Sequence, residues 1–130
     1  MEEILLINKP KGITSFNVIR ILRKKIKEKK IGHGGTLDPL ATGLLIIGVG
    51  KGTKKLKHFL NLPKTYQMEV LLGKKTTTGD LERKVIEKKE IKRLNIEKVK
   101  KVLGEMKGQI ELRVPLYSAV KGTGFEPESI

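Results

Sequence analysis

Residues 32–43 read Gly-His-Gly-Gly-Thr-Leu-Asp-Pro-Leu-Ala-Thr-Gly and carry the chemistry most readily suggested by this chain. Two ionisable side chains, His33 and Asp38, stand five positions apart among four glycines. Pro39 disfavours helical backbone at the residue before it, so Asp38 belongs in an extended segment or a turn. Glycines on either side permit close backbone approach and positive φ. The spacing therefore predicts a carboxylate on a tight, restricted loop. Such a group can serve as a nucleophile or as a base. A plainer reading competes with this one. Asp38 can cap a single helical turn, with Pro39 at its first position and Gly43 just past its end.

The flanking elements must position that loop. The apolar run at residues 4–7 predicts a buried strand, and residues 8–12 a turn. Thr14 or Ser15 can cap a helix whose apolar stripe is Phe16, Ile19, Leu22 and Ile26. Residues 44–49 predict a second buried strand, and Thr53 a cap for a helix over 54–60. Alternation through Tyr66, Met68, Val70 and Leu72 predicts a strand across residues 64–73. Residues 76–80 predict a polar turn. A short strand centred on Val85 and Ile86 follows. Asn95 caps a helix through Met106 with Ile96, Val99, Leu103 and Met106 on one face, and Gly108 stops it. Residues 109–114 predict a last strand. Strands and helices in this order give an α+β or α/β pattern.

Two nucleotide-binding patterns fail. A P-loop ending at Gly50-Lys51 would need glycine at Leu45 and serine or threonine at Gly52. A dinucleotide fingerprint starting at Gly32 fails at Leu37.

The twelve residues from Gly32 to Gly43 resemble the catalytic motif of the TruB-type tRNA pseudouridine-55 synthases. Residues 8–15, Asn-Lys-Pro-Lys-Gly-Ile-Thr-Ser, resemble that family's first motif, whose lysine and proline support the catalytic loop. Lys64-Thr65-Tyr66 is similar to its second motif, and Thr76 to Asp80 to its threonine- and aspartate-containing loop. Residues 114–121 resemble a proline-tyrosine-serine-alanine-lysine segment, one residue short between Pro115 and Tyr117. The resemblance implies an α+β, pseudouridine-synthase-like fold with a mixed β-sheet, flanking helices and the catalytic loop in a cleft along the sheet. It implies breakage of a uridine's C1′–N1 bond, rotation of the uracil and joining of C5 to C1′. By resemblance the substrate is U55 in the T-arm loop of tRNA. Asp38 is then the catalytic residue, with nucleophile and base both open. Lys9, His33, Thr36 and Tyr66 are implied on the substrate side, His33 filling space the flipped base leaves and Tyr66 stacking on it. Taken without the resemblance, His33 is a loop histidine with one hydrogen bond, Tyr66 a core aromatic and Lys9 a surface lysine of a turn.

Composition narrows the classes further. In 130 residues, 28 Lys and Arg face 14 Asp and Glu, a formal net charge of +14. That excess favours a polyanionic partner, nucleic acid before membrane, or else a lysine-rich proteome. Residues 20–30 hold seven basic side chains and one acid, Glu28. They form a solvated helix face or, with an RNA substrate, a phosphate-contacting edge. There is no cysteine, hence no disulfide or thiolate metal site. Two histidines, His33 and His58, make no ligand cluster, and the implied reaction needs no cofactor or metal. No apolar run approaches the roughly 20 residues of a membrane span. No basic signal-peptide start precedes the first strand, so a cytoplasmic location is expected. The length suits one modest domain. The resemblance ends near Lys121, so the expectation is a truncated N-terminal portion of the catalytic domain, without the family's later arginine-bearing segment or C-terminal RNA-binding domain. A non-catalytic basic RNA-binding fragment is the alternative function.

Overall fold

In the computed structural model, residues 1–111 are described, and the chain divides into two compact units, Met1–Tyr66 and Gln67–Ile130. The first unit is built on a three-stranded sheet in the order β1-β3-β2, with β1 at Glu2–Lys9, β2 at Ile31–His33 and β3 at Gly43–Gly50. Both pairings are antiparallel, with Leu5 opposite Ile47, Lys9 opposite Gly43, and His33 also opposite Ile47 from the other side. The α+β class holds. Among the described residues, however, no parallel pair occurs, so the expected mixing of strand directions is not seen there.

Alternation along the strands assigns the two faces. Leu5 and Ile7 of β1, Ile31 of β2, and Leu45, Ile47 and Val49 of β3 face one side. Helix α1 (Ser15–Ile26) covers that side with Val18 and Ile19, and Leu22 and Ile26 pack at its margin. Ile47 and Val49 are wholly buried, and full burial of such a side chain stabilises by roughly 1.5–3 kcal/mol. Thr14 caps α1, its hydroxyl accepting the Asn17 amide at 3.0 Å. The expected stripe needs one correction: Phe16 is 54% exposed and Val18 takes the inward place. A helical period allows either register, and the sheet selects the β-branched residue. Phe16 instead lies under the Arg23 guanidinium, 5.9 Å from its ring centre.

The opposite face carries Gly32, Gly34, Ile46 and Gly48, and a 3-10 helix at Lys51–Lys55 running into α2 (Leu56–Leu60) packs there. A Cβ on Gly32 or Gly34 would sit 3.2 or 3.3 Å from the Leu56 methyls. One on Gly48 would lie 2.8 Å from the Thr53 Cα, and one on Gly52 would overlap the Glu3 carbonyl. The glycines of residues 48–52 thus serve close packing of backbone on backbone. The helix over 54–60 begins differently from expectation. Thr53 does not cap it; its hydroxyl donates to the Gly50 carbonyl at 2.8 Å, inside the 3-10 turn.

The second unit holds a hairpin of β4 (Lys74–Thr76) and β5 (Val85–Lys88), then α3 (Ile96–Glu105). The Thr76 hydroxyl donates to the Asp80 carbonyl at 2.7 Å and closes the polar turn. Asn95 caps α3 by accepting the Lys98 amide at 3.2 Å. No α3 side chain is buried among the described residues; of its expected core face, Val99 alone is half-buried.

The strand expected over 64–73 is absent: residues 63–72 have no regular structure apart from the turn that opens at Leu72. A strand needs a partner for its amides and carbonyls. Alternation supplies the pattern, but no neighbouring strand pairs with it among the described residues. Residues 109–111 are likewise not strand, and the rest of that expected element lies outside the described residues, as does the segment 114–121.

Candidate active site

The loop joining β2 to β3 carries Asp38, and three attachments fix its backbone. Ser15, at the start of α1, is 2% exposed. Its hydroxyl accepts the Leu37 amide at 2.9 Å and donates to the Leu37 carbonyl at 3.1 Å. Leu37 packs its side chain against the core under α1. On the other side of Asp38, the Pro39 carbonyl accepts the Gly12 amide at 2.7 Å and the Lys9 ammonium at 3.3 Å. The Asp38 carbonyl itself accepts from Ala41 at 3.0 Å, closing a turn with Pro39 in its second place. Pro39 there pre-sets the φ that such a turn requires. The capping alternative therefore reduces to one turn of chain, with no helix behind it.

Lys9 explains how the first turn and the Asp38 turn meet. Strand alternation puts it on the buried face with Leu5 and Ile7, and it is 0% exposed. An ammonium has three donors and no acceptor. Here they go to the carbonyls of Pro10 at 2.9 Å, Ile13 at 2.8 Å and Pro39 at 3.3 Å. A buried cation is tolerated where every donor is used. The ammonium is turned inward beneath the loop, as a support, and does not face outward toward a substrate. The ion pairs among the described residues are Lys55–Glu2 and Lys100–Glu97, so Lys9 holds the Asp38 turn through backbone carbonyls and not through an ion pair with the carboxylate.

Asp38 itself is exposed, and its carboxylate takes part in none of the hydrogen bonds or ion pairs among the described residues. His33 ends β2, half-buried, at the entrance to the loop. Its Nδ1 is bonded to the Gly35 carbonyl; a carbonyl can only accept, so that nitrogen carries the proton and Nε2 of the neutral ring is left as an acceptor. Gly35 and Gly43, at φ +122° and +121°, bend the chain out of and back into the sheet, at angles that side-chain-bearing residues rarely adopt. Thr36 is exposed between them. Tyr66 is 69% exposed in the irregular stretch beyond α2, and the element expected to present it is missing.

The structure thus brings Lys9, Ser15, Leu37, Asp38 and Pro39 into one assembly, with His33 and Thr36 along the same loop. Ser15 is the residue that the sequence reading left among possible helix caps. Thr14 and Ser15 compete for one capping position, and the hydroxyl left over had to find another partner.

A crystal structure titled as a Cbf5-Nop10-Gar1 complex shares the fold at a TM-score of 0.59 and 28% identity, over 91% of this chain and 30% of that one. The tRNA pseudouridine synthase B of Aquifex aeolicus (strain VF5) is 48% identical over 124 residues, 95% of this chain and 43% of the relative. That of Bacillus cytotoxicus is 46% identical over 125 residues, 95% of this chain and 41% of the relative. The fold is therefore the α+β fold of pseudouridine synthases. The TruB family pseudouridylate synthase (N terminal domain) matches residues 23–126, and the chain belongs to that family. The match passes Lys121, where the sequence reading ends the likeness. The chain spans less than half the length of these two curated relatives.

Proposed function

We propose that this chain carries the catalytic aspartate of a tRNA pseudouridine synthase, with Asp38 as the reacting carboxylate. The observation that supports this most is the contrast at one residue. The backbone on both sides of Asp38 is tied down by Ser15, Gly12 and Lys9, while its carboxylate stays exposed and unpaired among the described residues. A turn built only for stability has no need of such attachments around a free charge. Breaking the C1′–N1 bond leaves an electron-poor sugar carbon. A carboxylate beside it can bond to that carbon as a nucleophile, or take a proton as a base. Either route asks for a fixed attack geometry, which rigid attachment of the turn supplies.

Reaching C1′ requires the uridine to leave its stack, at a cost of roughly a few kcal/mol. In this reading His33 and Thr36, beside Asp38 at and along the same loop, meet the displaced nucleotide, and Tyr66 completes the set if the substrate draws its segment inward. Relatives named as tRNA pseudouridine synthases and the charge of +14 support tRNA as substrate; U55 of the T-arm loop is the target that the motif resemblance implies. The test is direct. The intact protein is incubated with unmodified tRNA, and pseudouridine is located by mass spectrometry after chemical labelling. Product at position 55 is expected. RNA binding without any product would favour a binding-only role.

A further inference from the structure

We propose that Ser15 is a positioning residue for the reaction, acting through Leu37 to set the direction of the Asp38 carboxylate. The proposal rests on the function just argued and extends it to a residue in a different element. The Ser15 hydroxyl engages both backbone groups of one residue, accepting from the Leu37 amide at 2.9 Å and donating to its carbonyl at 3.1 Å. In a sheet, that two-point engagement comes from a neighbouring strand. Here one buried hydroxyl supplies it to a loop residue that no strand pairs with among the described residues. With both groups held, the peptide leading from Leu37 into Asp38 cannot rotate freely.

The other side of Asp38 is held independently, at the Pro39 carbonyl by Gly12 and Lys9. Lys9 and Gly12 fix where the turn sits; Ser15 fixes how the chain enters it. Loss of the hydroxyl leaves Pro39 anchored and frees the Leu37 side, so the carboxylate swings about its anchor while the loop stays in place. Ser15 is 2% exposed and its oxygen is already engaged, so contact with RNA is not its role. Helix capping is not its role either, because Thr14 caps α1. The residue is thus free of the two duties that would otherwise account for a serine at this point.

The experiment compares Ser15→Ala and Ser15→Thr with the wild type in the intact protein. It measures kcat and KM for pseudouridine formation on unmodified tRNA, RNA affinity, thermal midpoint and hydrogen exchange at the Leu37 amide. For Ser15→Ala the expected result is a fall in kcat on the order of 10- to 100-fold at 20 °C or more below its midpoint, as small misplacements of reacting groups produce. KM and RNA affinity stay within about twofold, since neither depends on the carboxylate's direction. Leu37 loses its exchange protection. Ser15→Thr keeps the hydroxyl and restores most of kcat and of the protection. A normal kcat in Ser15→Ala beside an active wild type overturns the proposal alone, as does a loss of kcat that Thr restores without restoring protection. An inactive wild type overturns the function on which the proposal rests.

Discussion

The Lys9 ammonium and the Pro39 carbonyl, thirty residues apart in the chain, lie 3.3 Å from each other beneath the Asp38 turn. Lys9→Met keeps an unbranched apolar stem out to Cε and removes the ammonium with its three donors at once. Carbonyls of Pro10, Ile13 and Pro39 then lose a partner, though Pro39 retains Gly12. Each buried polar group left unsatisfied costs about 1–3 kcal/mol, so a loss on the order of 3 kcal/mol is expected in denaturant unfolding. Lys9→Arg should not restore it, because a planar guanidinium cannot point three donors at carbonyls arranged around a compact ammonium. A midpoint unchanged in Lys9→Met would contradict the assignment of Lys9 as the support of the turn.

Gly52 and Gly104 give a contrast that packing alone decides. A Cβ on Gly52 would overlap the Glu3 carbonyl, whereas one on Gly104, inside α3, meets nothing within 4 Å. Gly52→Ala should destabilise the first unit by roughly 1–3 kcal/mol or more. Gly104→Ala should raise α3 helicity, with a gain of about 0.4–1 kcal/mol. Circular dichroism and thermal unfolding of both variants check the pair. Equal tolerance of both substitutions would refute the close approach of the 3-10 helix to β1.

Charge on α1 and on the segment just after it yields a prediction about RNA affinity. Lys24, Lys25 and Lys29 have ammonium groups without hydrogen bonds among the described residues, unlike Arg23, which donates to the Ile31 carbonyl at 3.4 Å and covers Phe16. Replacing the three lysines by Gln should weaken binding to all RNAs alike, since phosphate contacts carry no sequence information. The slope of log K against log salt should become shallower by about 2–3. A change confined to one RNA sequence would argue for base contacts instead.

The strands and helices with strong local signals were legible in the sequence. β1 and β3 are centred on apolar runs, α1 and α3 have side-chain caps, and β5 follows a polar turn with threonines and Gly79. What could not be read was tertiary. Tyr66 to Leu72 alternates as a strand does, yet alternation says nothing about whether a second strand lies alongside. Phe16 and Val18 both satisfy a helical stripe, and only the sheet beneath decides between them. Asp38 and its loop stood out by composition. The attachment from Ser15 did not, because a hydrogen bond spanning 22 residues leaves no local trace, and the support from Lys9 was marked by the motif resemblance alone. Glycines 48, 50 and 52 fail the phosphate-loop pattern in the sequence, but their use in admitting neighbouring backbone shows only in the packing.

In the proposed function the Asp38 carboxylate does the chemistry. The measurement that bears on it most directly is pseudouridine formation by Asp38→Asn in the intact protein, set beside its RNA affinity. Asparagine keeps the size of the side chain, and the turn is held by backbone atoms that the substitution leaves alone. The account predicts RNA binding within about twofold of wild type and a loss of product formation on the order of 100-fold or more. Near-wild-type turnover by Asp38→Asn would contradict it and leave Asp38 with no duty beyond its turn.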